Sequence, residues 1–399
     1  MDPTPTTASR PRDRKAQLAA VAAELFRARG YRGVGINDIA AAAGITGPAL
    51  YRHFADKQAV LAHVLLAGIG DMETATAEAL SDSGTPPAEQ LRALLGLLAA
   101  QSVERREIAA LWRWEGRHLP EPQRQEIRDR SYRTLDAWAK TLLMTRTDLP
   151  PADAELLCWA ALSVFGSVSV HRTTVAKRRF SQLLVELAEQ VLATDLPEAT
   201  DVETPAPALA GLNPPARREQ ILTAATELFR RRGFHAVSME DIGAAAGIAG
   251  PSVYRHFAGK TAIVLAICRR AADRLTLGAE HALRTSAPPD EREALRRLAE
   301  SYVRTLTGSA ELAVAFSGDP LTLPENEQAE LLRVQRDYVA QWVSLLSAVR
   351  PELQPREARI TVHAALTIAN DLTRTRRVNR RPNLPAELHA MMLAVLGIR

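Results

Sequence analysis

A nine-residue stretch that occurs twice constrains this chain more than any other feature. Gly47–Ala55 reads GPALYRHFA and Gly250–Ala258 reads GPSVYRHFA, with their tyrosines 203 positions apart. The same offset holds without a gap between 14–57 and 217–260, where 25 of 44 positions are identical. Chance matches between Ala-, Leu- and Arg-rich helices do not keep one offset over such a length. The stretch therefore belongs to a module that is present twice.

The duplication extends beyond this module and divides the chain. Leu119-Pro120 returns as Leu323-Pro324 and Trp138 as Trp342, now at an offset of 204, which one inserted loop residue explains. Residues 195–216 hold five prolines and no Lys or Arg, which is typical of an interdomain linker. We therefore expect a disordered tail at 1–12, a first helix-turn-helix head at 13–57, a first helical body at 58–194, a Pro-rich linker at 195–214, a second head at 215–260 and a second body at 261–399.

Composition favours an all-α fold. Aromatic residues make up only 5% of the chain, and Ala, Leu, Arg and Glu dominate over β-branched runs. Within each module, two short helical patterns meet at a glycine, Gly44 in the first copy and Gly247 in the second. A tight glycine turn between two short helices predicts a helix-turn-helix, whose second helix lies in the DNA major groove.

Helix capping predicts two unequal heads. Ser238 with Asp241 three residues on forms a capping-box pattern at the start of the second helix, where the first copy has Gly35. Conversely, Thr46 is a suitable cap for the first recognition helix, where the second copy has Ala249. We expect both heads to bind DNA, with unequal affinity.

The charge and residue types of the modules point to phosphate contact. Residues 10–61 carry a net charge of +5 and residues 217–265 of +3, in a chain of net +4. Small residues that open the recognition helix let the backbone approach DNA, while Tyr, Arg, His and Lys suit phosphate oxygens. The predicted DNA-binding residues are Arg14, Lys15, Thr46, Gly47, Pro48, Ala49, Tyr51, Arg52, His53 and Lys57, with Arg217, Arg218, Gly250, Pro251, Ser252, Tyr254, Arg255, His256 and Lys260 in the second copy. The alternative places Tyr51 in the core and leaves Arg52 as solvated surface.

Both modules resemble the TetR family of bacterial regulators. The resemblance rests on Leu25-Phe26, Gly30-Tyr31, Ala43-Gly44-Ile45 and Leu50-Tyr51-Arg52-His53-Phe54, all of which recur in the second copy with conservative changes. It implies a three-helix DNA-binding head and a ligand-sensing body of six helices, whose last two helices form a dimer interface. The whole chain resembles tandem members of the family, which implies an intramolecular pseudo-dimer in which one chain is the functional unit. It further implies a repressor that binds a double-stranded, pseudo-palindromic DNA operator. Because the recognition helices differ at Thr46/Ala249, Ala49/Ser252 and Leu50/Val253, we expect two related but unequal half-sites.

A small, apolar effector is expected as a second partner. In the first body, Trp112, Trp114, Glu115 and His118 cluster in sequence, with Tyr132 further on, and an apolar cavity with a few polar groups suits ligand binding. The alternative is that these aromatic residues only fill the core. The matching positions of the second copy are less bulky, so we expect the two bodies not to share a ligand.

Enzyme and membrane functions find little support. The motifs GxSxG, HExxH, Walker A and the dinucleotide-binding glycine pattern do not occur in the sequence, and its nine histidines do not follow metal-ligand spacing, so neither a cofactor nor a metal is expected. Two lone cysteines and a polar segment at 1–12 predict a cytoplasmic protein without a membrane partner. A helical small-molecule-binding or adaptor protein without specific DNA binding remains the alternative.

Overall fold

The computed structural model describes residues 11–198, 216–284, 290–317 and 323–398, and all regular structure within these ranges is helical. The all-α expectation is therefore confirmed for the described part of the chain. Its helices are α1 (Pro11–Arg29), α2 (Ile36–Ala42), α3 (Gly47–Tyr51), α4 (Lys57–Leu80), α5 (Pro87–Glu104), α6 (Arg106–Glu115), α7 (Glu121–Thr145), α8 (Pro151–Gly166), α9 (Lys177–Leu192), α10 (Arg217–Arg232), α11 (Met239–Ala245), α12 (Gly250–Val253), α13 (Lys260–Leu283), α14 (Glu291–Gly308), α15 (Ala310–Ser317), α16 (Glu325–Val349), α17 (Pro355–Leu372) and α18 (Leu384–Leu396), with 3-10 turns at Gly116–His118 and Ser167–Ser169.

The duplicated sequence yields a duplicated order of helices. Helices α4 and α13 each have 24 residues, and α7 and α16 each have 25. Their first residues are 203 positions apart for the former pair and 204 for the latter, so the inserted residue lies in the connection after α13. The expected tail at 1–12 lies mostly outside the described residues, since α1 already begins at Pro11, and most of the expected linker lies outside them as well.

Two helices end earlier than their apolar patterns predict. The sequence favours helices over 152–177 and 355–379, but α8 ends at Gly166 and α17 at Leu372. A hydroxyl group bonds to a helix carbonyl at each end: Ser167 donates to the Val164 carbonyl at 2.6 Å, and Thr373 donates to the Ala369 carbonyl at 3.0 Å. After α8 the chain continues as the 3-10 turn Ser167–Ser169 rather than as further α-helix.

The described chain divides into two compact units. The first runs to Cys158 and includes Val168–Arg172 and Ala176–Val185, while the second holds Trp159–Ser167, Thr173–Val175 and the described residues from Glu186 onward. Each unit contains one head.

Each head shares its apolar core with the body of its own unit. The first core joins buried residues of α1 to α4 with Leu111, Leu119 and Ile127. The second joins α10 to α13 with Val314 of α15, and the half-buried Leu323 packs against it. Burial of one such side chain stabilises the fold by about 1.5–3 kcal/mol. Helices α6 and α15 therefore lie directly against the heads, so a shift of either helix must displace head residues.

One described segment, Pro151–Ser169, is long and apolar enough to cross a bilayer by length and composition, with a mean hydropathy of 1.2. In this fold, 61% of it is buried inside the protein, which is also what a core helix shows.

Candidate nucleic-acid interface

The turn between the two short helices has the same geometry in both heads. Gly44 and Gly247 adopt φ values of +66° and +70°, a left-handed conformation that L side chains rarely adopt. The next helix then begins at Gly47 or Gly250, one residue before a proline in its first turn. The glycine-turn prediction is thus confirmed in both copies.

Close packing explains why glycine opens each recognition helix. A Cβ atom on Gly47 would lie 2.7 Å from Oδ1 of Asn37, and one on Gly250 would lie 3.2 Å from Cα of Glu240. The small residues therefore let α2 and α11 approach the recognition helices closely. Leu50 and Val253, one turn after these glycines, are fully buried and anchor the helices to the head core.

Helix capping differs between the heads, although not entirely where the sequence predicts. Ser238 and Asp241 form the expected capping box, with Ser238 Oγ accepting from the Asp241 N–H at 3.0 Å and the Ser238 N–H donating to Asp241 Oδ2 at 2.8 Å. At Gly35 only the second of these bonds has a counterpart, the 2.7 Å bond from its N–H to Asp38. Of the contrasts expected from capping, the one at the second helix is therefore confirmed.

The prediction that Thr46 caps its recognition helix and Ala249 does not is wrong. Thr46 occupies the N-cap position of α3, but its side chain makes no capping hydrogen bond, and neither does that of Ala249. The unforeseen contrast lies one helix later. Asp56 Oδ1 accepts from the Ala59 N–H at 2.7 Å at the start of α4, whereas Gly259 leaves the start of α13 without such a bond.

The side chains that follow the recognition helices are exposed. Tyr51 is 55% exposed and Tyr254 is 54% exposed, so the alternative that places Tyr51 in the core is wrong. Arg52 and Arg255 are exposed as well, and the described residues offer neither guanidinium an ion-pair partner. Both heads therefore present a phenol beside a free guanidinium, donor types that suit phosphate oxygens.

Neighbouring residues complete this surface. His256 and Pro251 are exposed, as are Pro48 and Thr46, while His53, Ala49 and Ser252 are half-buried. Phe54 and Phe257 are buried, 3% and 4% exposed, and fix the end of each recognition segment in the core.

Basic residues near the start of α1 and α10 contact the ends of the recognition segments. The Lys15 ammonium lies 5.1 Å from the ring centroid of Phe54, and the Arg218 guanidinium lies 4.5 Å from that of Phe257. Arg14 donates to Gln17 at 3.3 Å and to the Ala43 carbonyl at 3.4 Å, and Arg217 donates to Gln220 at 2.7 Å. Their role as DNA contacts stays a prediction, and part of the bonding capacity of Arg14 and Arg217 is used within the head.

Two predicted DNA contacts have a different principal role. The Lys57 ammonium donates to the carbonyls of Tyr31 at 2.9 Å and Val34 at 2.8 Å and lies 4.2 Å from the Tyr31 ring centroid. Lys260 repeats this with Phe234 at 2.9 Å and Val237 at 2.6 Å. Burial lowers the pKa of Lys57, with Arg32 adding to the effect. We therefore correct the prediction: both lysines close the loop between the first two helices of their head.

The predicted effector residues differ in their exposure to solvent. Trp112 is 42% exposed, Glu115 is buried and Tyr132 on α7 is half-buried. The side chain of Trp114 lies outside the described part of the structure. An effector site at these positions therefore stays a prediction, while the alternative of simple core filling does not hold for Trp112, which is largely exposed.

Glu115 and His118 join the first body to the first head. The His118 ring stacks on Tyr31 with centroids 4.8 Å apart and planes 19° apart. Glu115 Oε2 lies 3.3 Å from His118 Nε2, and Gln58 on α4 donates to the His118 carbonyl at 3.1 Å. Sequence reasoning missed this contact because Tyr31 and His118 are far apart in the chain. Their aromatic character was the only available signal.

Reactive and metal-binding groups are sparse among the described residues. No cluster of three or more His, Cys, Asp or Glu side chains that could hold a metal ion occurs in the described ranges. Cys158 is buried, and Cys268 is half-buried with burial raising its pKa to about 11. High pKa values keep both thiols protonated at neutral pH and therefore poorly nucleophilic.

Known proteins are similar in sequence to this chain. Residues 18–64 and 221–267 each match the family model described as bacterial regulatory proteins, tetR family. The HTH-type transcriptional activator FasR of Mycolicibacterium smegmatis is 32% identical over 167 residues, which span 42% of this chain and 74% of FasR. The HTH-type transcriptional repressor KstR2 of the same organism is 29% identical over 35% of this chain and 67% of its own length.

Solved structures give matches of about one unit in length. The ketosteroid transcriptional regulator KstR2 of Mycobacterium tuberculosis has a TM-score of 0.40 at 22% identity, covering 46% of this chain and 96% of KstR2. AibR, solved with isovaleryl coenzyme A and operator DNA, has a TM-score of 0.38 at 20% identity, covering 44% of this chain and 97% of AibR.

Proposed function

Because the chain belongs to the TetR family of bacterial regulatory proteins, we propose that it is a cytoplasmic repressor that a small apolar effector releases from its operator. That it is a DNA-binding transcriptional regulator follows from its family. The proposal gives the heads the bounds 13–57 and 215–260 and the bodies the bounds 58–194 and 261–399. It assigns the chain a regulatory role without enzymatic activity.

One observation carries the proposal: both recognition segments expose a tyrosine next to an arginine that the described residues leave unpaired. An arginine that served only as solvated surface would not need to recur at the matching position of the second head. Each guanidinium is expected to neutralise one phosphate and release the counterion that had been condensed there.

We further propose that the two heads bind one operator as an intramolecular pseudo-dimer, with one chain as the functional unit. Supporting this, the family model matches both heads, and the order of helices that follows each head repeats. Family members dimerise through the last two helices of each unit, and both copies have such a pair. Heads joined in one chain bind their second half-site without a further association step.

The heads are also proposed to have unequal half-sites. Ala49 and Ser252 occupy matching positions on the recognition helices; a hydroxyl can donate to or accept from a base edge, whereas a methyl group can only contact apolar groups such as the thymine methyl. Asn37 and Glu240 differ next to them, and a carboxylate near phosphates lowers affinity.

Selection of genomic fragments by the full chain, followed by affinity measurements against salt, tests the proposal. Affinity for the selected duplex should fall linearly in a log–log plot, and Arg52→Ala and Arg255→Ala should each reduce the slope by about 1. Lys140→Ala is the matched control, because this lysine lies on α7 in an exposed pair with Asp136. Failure to select any fragment, or affinity that ignores salt, would support the adaptor alternative.

Two further measurements test the finer parts. Light scattering of the free chain and of its operator complex should give the mass of one chain in both. An operator symmetrised to either half-site should bind more weakly than the natural one. A reporter gene placed behind the operator tests the repressor assignment. If the chain raises expression of the reporter, the protein is an activator.

A further inference from the structure

A groove opens on the surface of the second body where α13 packs against α14. Its volume is about 130 Å³, and it is lined by His281, Ala282, Arg297, Glu300, Ser301 and Arg304. Most of these side chains are charged or polar, whereas a site for an apolar molecule is lined mainly by apolar side chains. The groove therefore suits a ligand of a different class from the proposed effector.

Ion pairs within α14 leave one guanidinium of the groove uncompensated. Arg297 donates to Glu293 at 2.6 Å, and the Glu300 carboxylate lies 4.0 Å from the Arg296 guanidinium. Arg304 is exposed, and the described residues offer it no ion-pair partner. The groove thus keeps one positive charge beyond its internal pairs, which favours an anion.

Ser301 adds a hydroxyl to the floor of the groove. The residue is only 4% exposed, and its Oγ faces α13 at Gly278, where a Cβ atom would lie 2.8 Å from it. Its carbonyl accepts from Thr305 within α14, while the described residues offer its hydroxyl no hydrogen-bond partner. The hydroxyl is therefore available to a molecule that enters the groove.

The matching helices of the first body lack these donors. Leu94 of α5 is buried like Leu298 of α14, so the two copies keep a common core position. The places of His281, Arg297, Ser301 and Arg304 are taken there by Glu78, Ala93, Leu97 and Ala100. Gly278 corresponds to Ala75, which is buried. The first body therefore provides an internal reference in which the same helices carry no cationic groove.

The groove is also distant from the DNA-binding surface of its own head. Helix α13 begins at Lys260, inside the head, and Gly278 lies about five turns further on, roughly 27 Å along the helix axis. An arginine side chain does not bridge such a distance. A small free anion, rather than an operator phosphate, is therefore the ligand that this place can take.

We propose that the second body binds a small phosphate dianion in this groove, either inorganic phosphate or the phosphate of a monoester. The planar guanidinium of Arg304 would donate to two of its oxygens and Ser301 Oγ to a third, with the His281 ring N–H as a further donor. A phosphate monoester carries about −1.5 to −2 charges at neutral pH and three acceptor oxygens, which match these donors. The inference goes beyond the proposed function, since it requires neither operator nor apolar effector.

Calorimetric titration of the full chain at constant ionic strength tests the inference, with methyl phosphate and inorganic phosphate as the probes. We expect one saturable site per chain, and the tighter of the two probes identifies the form of phosphate that the groove takes. Dimethyl phosphate, a singly charged diester like the DNA backbone, should bind at least about tenfold more weakly. Arg304→Ala and Ser301→Ala should each weaken binding about tenfold, because each removes a hydrogen bond to a charged group.

Two further variants separate a built site from general attraction to a basic surface. Arg292→Ala removes an exposed arginine from the same helix and should change the affinity by less than about twofold, because salt screens distant charges. Gly278→Ala introduces the residue of the first body and should weaken binding, because its Cβ displaces the Ser301 hydroxyl. Thermal unfolding of each variant verifies that it is folded.

Absence of saturable binding, equal affinity for dimethyl phosphate, or an equal loss in Arg292→Ala and Arg304→Ala would each overturn the inference. Operator affinity of the same preparation separates this failure from that of the proposed function. A chain that binds its operator but neither phosphate probe is a regulator without this site.

Discussion

The Lys57 ammonium lies 2.8 Å from the Val34 carbonyl oxygen, and Lys260 lies 2.6 Å from that of Val237 in the second head. Each lysine bridges two carbonyls of the loop that follows the first helix of its head. A lysine that the sequence predicts as a DNA contact therefore makes hydrogen bonds within the head.

Lys57→Met should destabilise the first head while changing the salt dependence of DNA binding little. Methionine keeps the aliphatic stem but loses two charge-assisted hydrogen bonds, and we expect a loss of about 2 kcal/mol after allowance for partial exposure. Chemical denaturation measures the loss. Arg52→Ala is the control with the reverse pattern, a lower salt slope at unchanged stability. A salt slope that falls for Lys57→Met as it does for Arg52→Ala would restore the DNA-contact interpretation.

Exchange of the helix caps should change the stability of the two heads in opposite directions. Asp56→Ala removes the bond to the Ala59 N–H and should cost about 1 kcal/mol. Gly259→Asp, in the second head, should add a similar amount because it supplies the missing acceptor. Hydrogen exchange of the first-turn amides of α4 and α13 reports each effect locally. Equal protection in wild type and both variants would show that these caps contribute nothing.

His118→Ala should weaken the contact between the first body and the first head. Loss of the stack on Tyr31 should cost about 0.5–1.5 kcal/mol. Tyr31→Phe is the matched control, because phenylalanine keeps the stacked ring and is the residue that the second head has at Phe234. Thermal unfolding monitored at each head would detect the difference. A larger loss for Tyr31→Phe than for His118→Ala would mean that the tyrosine hydroxyl, rather than the stack, holds the contact.

Acid should destabilise the second unit through His363. Burial lowers the pKa of this histidine to about 4, with Arg359 adding to the shift. Between the unfolded value of about 6.5 and this folded value the unfolded chain binds more protons, so stability falls as pH falls through that window. The loss should reach at most about 3 kcal/mol near pH 4. His363→Gln should reduce the loss of stability between neutral pH and pH 4, whereas the same change at the exposed His281 should not. If His363→Gln loses as much stability in acid as the wild type, other groups cause the loss.

The heads could be predicted from sequence because their signals are local. Gly44 ends one helix and Pro48 opens the next within five positions, so the helix-turn-helix needs no long-range information. The exposure of Tyr51 follows from the same periodicity, since Leu50 beside it takes the buried face.

Long-range contacts could not be predicted in this way. The carbonyls that Lys57 binds lie 23 and 26 residues away, and only the fold brings them together. The exposure of Trp112 depends on how α6 is rotated against the head, which an amphipathic pattern of ten residues does not determine. The ends of α8 and α17 are not marked in the sequence, which favours longer helices at both places.

The fixed pairing of two unlike heads in one gene has a consequence for inheritance. A regulator made of two identical chains expresses each mutation twice, so both half-sites of its operator must accommodate the change together. Here a mutation at Ala49 leaves Ser252 as it was. If one chain binds both half-sites, as we propose, one half of the operator can diverge, or adapt to a new promoter, while the other half continues to hold the protein on DNA.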